Sequence, residues 1–262
     1  MAEDYQHITL SVNEHIARLT LDRPDERNAM TYEMGAEVKR AVAELNSDDS
    51  VRVAVVTGAG KAFSAGGNLS SLGRQAGLSE KGPGMSDAAS FYRLFLSIRE
   101  LRVPSIAAIR GHAIGAGLCF AIACDLRVMH EKAKVGMTFV KLGIHPGMAA
   151  TWNLPRLVGP AKAADLLYTG RLVEGREALE LGLVNRVAGD DFDSTVDQLA
   201  VAVAGNGPIA VRALKETLRG SATRDIEEAV EREAEAQLMT FTTADAAEGL
   251  GAILEKREPR FK

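Results

Sequence analysis

The 262-residue chain has two cysteines, one tryptophan and an aromatic content of only 5%, and these scarcities exclude several explanations. Two cysteines cannot build a disulfide framework. Cys119 and Cys124 lie five apart on one expected helix, so they face different ways and fit neither a CxxC redox pair nor a zinc site. They read as buried thiols of a reducing compartment. Basic residues are not in excess: 31 Lys and Arg stand against 35 Asp and Glu, a formal charge of −4, so no positive field invites nucleic acid. A few local cations could still hold a phosphate. No apolar run reaches the roughly 18–20 residues of a membrane span. The opening "MAEDYQHITL" carries neither a basic n-region nor an apolar h-region. The expectation is therefore a cytoplasmic protein with no membrane or nucleic-acid partner and no bound metal.

The remaining composition, 46% hydrophobic and 25% charged, is that of a globular protein. The length suits one large domain or a core with an appendage. "ITLSVNEHIARLTL" alternates on both sides of "NEH" and predicts a β-hairpin. "TYEMGAEVKRAVAELNSD" has helical spacing, and "VRVAVVTG" and "SIAAIRG" read as buried strands. Each strand runs into a glycine-rich loop and then a helix, the first of them a short one opening near Asn68. Residues 75–88 read as a flap. Alternating strands and helices argue for a mostly parallel α/β sheet. Beyond Pro155 the patterns are helical, which divides the chain into a core, 1–199, and a helical region, 200–262.

The loops "GAGKAF" and "GAGLCF" present unpaired N–H groups at helix starts. A P-loop would need GxxxxGK[ST], and the first loop has no Ser or Thr after Lys61. A Rossmann fingerprint would need GxGxxG, and both loops end in Phe. Ordinary tight turns and an oxyanion hole remain. If both strands lie in one sheet, the two sets of N–H groups can converge on one carbonyl oxygen.

"RPDERNAM", "AFSAGGNL", "GHAIGAGLCFAIACDLRV", "PGMAATWNLPRLVG" and "TTADAAEGLGAILEKREPRFK" together resemble the crotonase (enoyl-CoA hydratase/isomerase) superfamily, in order and nearly end to end. The resemblance implies a crotonase-like spiral of ββα turns with a helical C-terminal trimerisation region. It implies a homotrimer or a hexamer built as a dimer of trimers. It also implies an acyl-CoA thioester as ligand and no separate cofactor, coenzyme A being part of the substrate. Carried over by position, Gly67 and Ala116 supply the oxyanion N–H groups. Ala29 and Ala65 lie along the adenine end of coenzyme A, and Arg27 and Lys61 are candidate phosphate partners.

Departures from the family pattern sit where its acids should be. The two glutamates of typical hydratases fall on Cys119 and Phe139, and the aspartate of the ring-opening isomerase branch falls on Gly147. A neutral thiol and a phenyl ring cannot do hydratase acid–base work. His145 lies two residues before Gly147 and could reach a bound acyl group. His112 and Asp125 read as structural, and Glu80 and Asp87 sit on the flap. The expectation is an enoyl-CoA hydratase/isomerase family protein for which paired-glutamate hydration is out of reach. Its alternatives are an isomerase or other crotonase-type lyase or hydrolase using His145 or water, and a non-catalytic acyl-CoA binder.

Overall fold

The computed structural model describes residues 5–67 and 88–261. The expected short helix near Asn68 and most of the 75–88 flap, Glu80 and Asp87 included, fall outside them.

Two strands, β1 (Ile8–Asn13) and β2 (Ile16–Leu21), pair antiparallel about a two-residue turn. Glu14 and His15 both take positive φ there, as a type I′ hairpin requires. Helix α1 (Tyr32–Ser47) follows, its first turn capped by Thr31, whose hydroxyl accepts from the Met34 N–H. Strand β3 (Val53–Gly58) lies parallel to β2. Next along this sheet come β5 (Ser105–Ile109), β7 (Leu126–His130) and β10 (Arg186–Ala188), all parallel.

A second, smaller sheet is woven between these strands. Its members are β4 (Ala62–Ser64), β6 (His112–Ile114), β8 (Lys134–Gly136) and β9 (Val173–Glu174), in that order. The chain thus repeats one unit: a strand in the large sheet, a short strand in the small one, then a helix. The helices are α2 (Ala88–Leu96), α3 (Ala116–Ala123) and α4 (Ala150–Val158). This is the expected ββα plan. The three-residue strands β4 and β6 fall within stretches that read as loops, because runs so short carry no periodicity. Pairing with a distant strand makes them strands.

Both faces of the large sheet are covered, which explains its near-continuous apolar strands. Ala54, Val56, Ala107 and Ile109 face the main core, while Val53, Val55, Ile106 and Ala108 face a second one. The second core is closed by α7 (Phe192–Ala204) through Phe192, Val196 and Ala200. The expected division at 199/200 falls inside this helix. Helix α3 sits in the main core with all eight residues buried, which fits a helix apolar on every side. Phe120 on α3 packs at 6.1 Å from Phe63 and at 5.7 Å from Phe95.

Helices α5 (Pro160–Thr169) and α6 (Gly175–Glu180) precede α7. After it come α8 (Pro208–Gly220), α9 (Ile226–Phe241) and α10 (Ala244–Glu255). A buried cation ties α8 to the core: the Lys215 Nζ donates to Val103 O at 2.6 Å and to the Asp125 carboxylate at 2.7 Å. The same carboxylate oxygen accepts from the Ser105 N–H and hydroxyl, so Asp125 is a structural hub at the end of α3. Burial raises the Asp125 pKa, but Lys215 and Ser105 outweigh it and hold it below the ordinary range. Helices α9 and α10 leave large apolar side chains exposed, among them Ile226, Leu238, Ile253 and Leu254.

Asp125→Asn should destabilise the fold by about 3 kcal/mol, the low end for a broken buried pair, because 38% of the Asp125 side chain stays exposed. Since the folded-state pKa is lowered, the wild type should lose this contribution as pH falls through that value. The variant should lose less over the same acid range. Urea unfolding between neutral pH and the acid limit of folding measures both.

Candidate active site

The site is built around one buried amide, Asn28. Arg27 and Asn28 take φ of 52° and 53°, and the turn they make survives because Asn28 is fully buried and fully bonded. Its Nδ2 donates to Ala59 O at 2.9 Å and Ala62 O at 2.8 Å, and its Oδ1 accepts from the Arg23 N–H. The Asn28 carbonyl accepts from the Ser64 hydroxyl, and the Ala65 N–H donates to Arg27 O at 2.9 Å. These bonds bring the turn with Arg27 and Ala29 against the strand end with Ala65. Arg27 and Lys61 are exposed and, among the described residues, form no ion pair. Pro24 lies against Gly60, so the two cations flank one strip of surface.

The two glycine loops meet because β4 and β6 are parallel neighbours, with Ala62 opposite His112 and Ser64 opposite Ala113. Parallel strands release their next residues at the same end of a sheet. Contact there depends on glycine: a Cβ on Gly66 would lie 2.6 Å from Ile114 O and 3.3 Å from Ala116 N. One on Gly117 would overlap the Ser64 carbonyl. Gly66 also takes φ of +90°, open to glycine alone.

Peptide geometry then sets the direction of two donors. In a trans peptide the C=O of one residue and the N–H of the next point opposite ways. Gly66 O accepts from the Met30 N–H at 2.8 Å, so the Gly67 N–H points away from Met30. Gly115 O accepts from the Cys119 N–H at 3.1 Å, so the Ala116 N–H points out of the first turn of α3. A pair of N–H groups from adjacent backbones at a helix start can hold a carbonyl oxygen and stabilise the negative charge that develops on it.

Among the described residues, the rest of the pocket region is poor in ionisable groups. Cys119 is fully buried, with its Sγ 3.6 Å from the Met137 sulfur and 3.6 Å from Gly147 O. Burial pushes its pKa far up, so the thiol stays protonated and is no nucleophile. Cys124 is likewise raised by burial, to about 12. The Phe139 ring lies beside Gly115, its Cζ 3.8 Å from where a Cβ would be. Gly147 is covered by Tyr92, whose ring carbon Cζ would be 2.5 Å from a Cβ there.

His145 does not join this group. Gly147 turns inward to Cys119, but His145, two residues earlier, is exposed, its Nδ1 2.7 Å from Pro146 O. It lines a surface cavity of about 390 Å³ with Val140, Ile144, Leu167 and Tyr168. His112 is structural as expected: its Nδ1 accepts from the Lys134 N–H and ties β6 to β8. Sequence reasoning passed over Asn28 and Tyr92. Asn28 lay inside a quoted motif, and Tyr92 stands beside the two phenylalanines of α2 with nothing in the spacing to single it out.

Similarity to known proteins gives the family. Residues 11–262 match the family model described as enoyl-CoA hydratase/isomerase. The chain belongs to the enoyl-CoA hydratase/isomerase family. A crotonyl-CoA hydratase of Syntrophomonas wolfei is 36% identical over 259 residues, covering 98% of each chain. The crystal structure of an enoyl-CoA hydratase from Bacillus anthracis superposes with a TM-score of 0.90 at 34% identity, covering 98% of this chain and 99% of that one. An enoyl-CoA hydratase from Polaromonas sp. JS666 superposes equally well, at 0.90, with 29% identity and 97% and 99% coverage. The crotonase fold is therefore shared almost from end to end. No described helix is long and apolar enough to cross a membrane.

Gly66→Ala should open the contact between the two loops. It should cost about 1–3 kcal/mol of stability, from a side chain forced into positive φ. Thermal melting reads the loss, and an unchanged melting temperature would mean that the loops do not touch there.

Proposed function

We propose that this enoyl-CoA hydratase/isomerase family member grips the carbonyl oxygen of an acyl-CoA thioester between the Gly67 and Ala116 N–H groups and stabilises the enolate formed beside it. The single observation that carries the reading is the direction of those two peptides. Each carbonyl is spent on a neighbour, which turns the Gly67 N–H away from Met30 and the Ala116 N–H out of the first turn of α3, as the reading requires. Removing one such donor in an acyl-transfer site costs about 2.7–4 kcal/mol of transition-state stabilisation. The strip formed by Ala29, Ala65, Arg27 and Lys61 suits the nucleotide end of coenzyme A, with the two cations toward its phosphates. No cofactor beyond the substrate's own coenzyme A enters the chemistry.

Paired-glutamate hydration is not the reaction in this reading. The first glutamate position is Cys119, a thiol held neutral by burial, and the second is Phe139. The chain would act as an isomerase, or as another lyase or hydrolase of the crotonase type, with proton transfer at the thioester's α-carbon managed by a different group. The exposed apolar side chains of α9 and α10 favour a homotrimer or a dimer of trimers, a mass that light scattering on the intact chain reads.

Butyryl-CoA should bind the protein in calorimetry, and the thioether analogue lacking its carbonyl oxygen should bind at least tenfold more weakly. Crotonyl-CoA should be hydrated far more slowly than the about 10 s⁻¹ of a median enzyme. Hydration at such ordinary rates would return the chain to the hydratases. Equal affinity for thioester and thioether would remove the carbonyl grip.

A further inference from the structure

We propose that Tyr92 carries the proton to and from the α-carbon of the bound acyl thioester, a role that rests on the thioester reading above. The helix bearing it is fixed by its neighbours. Phe91 and Phe95, one turn apart on α2, enter the core, with Phe91 5.0 Å from the Tyr32 ring and Phe95 5.7 Å from that of Phe120. The next position round from Phe91 is Tyr92, half-buried with its ring edge-on to Phe91 at 6.2 Å. This puts the hydroxyl against Gly147, where any side chain on residue 147 would overlap it. The Gly147 carbonyl is in turn 3.6 Å from the Cys119 sulfur. Cys119 is three residues along α3 from Ala116, a rise of about 4.5 Å. An acyl chain held by its carbonyl at Ala116 and running inward along α3 therefore passes the phenol.

Among the described residues, the other groups bordering that path do not supply a proton. Cys119 is held as a neutral thiol, while Met137, Phe139 and Gly147 carry no side-chain acid. Among the described residues the Tyr92 hydroxyl makes no hydrogen bond. Burial, with Cys119 beside it, keeps this group a phenol at neutral pH. In the forward step the Tyr92 O–H bond breaks and a Cα–H bond forms as the enolate pair collapses from the thioester oxygen onto carbon. The phenolate left behind takes a proton from solvent water. Exchange in a saturated thioester runs the other way. The Tyr92 phenol first releases its proton to solvent water, and the phenolate then takes an α-hydrogen as the Cα–H pair moves onto the thioester oxygen. The phenol so formed trades its proton with solvent before returning one to Cα. No oxidant, reductant or second substrate is needed.

The test is α-hydrogen exchange of butyryl-CoA in D₂O, followed by NMR, for the wild type, Tyr92→Phe and His145→Ala. Binding of butyryl-CoA and thermal melting are measured alongside. The wild type should exchange. Tyr92→Phe keeps the ring and its packing, and should exchange about 10²–10⁴-fold more slowly with its affinity for butyryl-CoA within twofold and its melting temperature kept. Exchange at the wild-type rate in Tyr92→Phe would overturn the proposal, and a loss in His145→Ala alone would move the role to that residue. Binding without exchange in the wild type would also overturn it while leaving the carbonyl grip intact. Absence of binding would overturn both. If Tyr92→Phe melts early, Tyr92→Trp and Tyr92→Leu replace it, and exchange surviving in either folded variant overturns the assignment.

Discussion

The contact between Gly66 and the peptide entering α3 is the constraint on which the rest of the site depends. It exists because β4 and β6 run parallel in the small sheet and because neither Gly66 nor Gly117 carries a Cβ. Any side chain at either position would wedge the backbones apart. Once they touch, carbonyls already committed to Met30 and Cys119 leave their partner N–H groups no choice of direction. The electrostatics of the site are thus set by main-chain geometry, which needs no ionisable residue and is insensitive to pH.

Around that junction the protein has put its polar bonding into scaffolding. Asn28 joins the Arg23–Met30 turn to the end of β3 and to β4, and Asp125 with Lys215 fastens the C-terminal helices to the far end of α3. The interior of α3 is apolar on all sides, and its one thiol is sealed. Acid–base chemistry in such a pocket has to come from a group that reaches in from elsewhere. The helix that follows residues 68–87 carries a phenol, Tyr92, that lies against Gly147.

Much of this was legible in the sequence. The hairpin, the long strands and the helices of the C-terminal half announce themselves by period, and the motif order alone resembled the right family. The small sheet was not legible, since three residues such as Ala62–Ser64 become a strand only by pairing with residues 50 positions away. β10 was hidden for the same reason, in a stretch dominated by helical patterns. Within the site, the meeting of the two glycine loops could be read by position. The outward turn of His145 could not, because it depends on which way a two-residue offset from Gly147 faces. The staple by Asn28 and the approach of Tyr92 are tertiary facts, and local spacing holds no trace of them.

Two main-chain N–H groups that share one carbonyl oxygen must draw electron density onto it and lower its stretching frequency. The decisive measurement is the isotope-edited infrared spectrum of butyryl-CoA labelled with carbon-13 at the thioester carbonyl, free and bound. A single bound band at lower frequency than in water, returning toward the free value in Gly66→Ala, is the expected result. A bound thioester whose carbonyl band stays where it was in water would contradict the convergence of Gly67 and Ala116 on that oxygen.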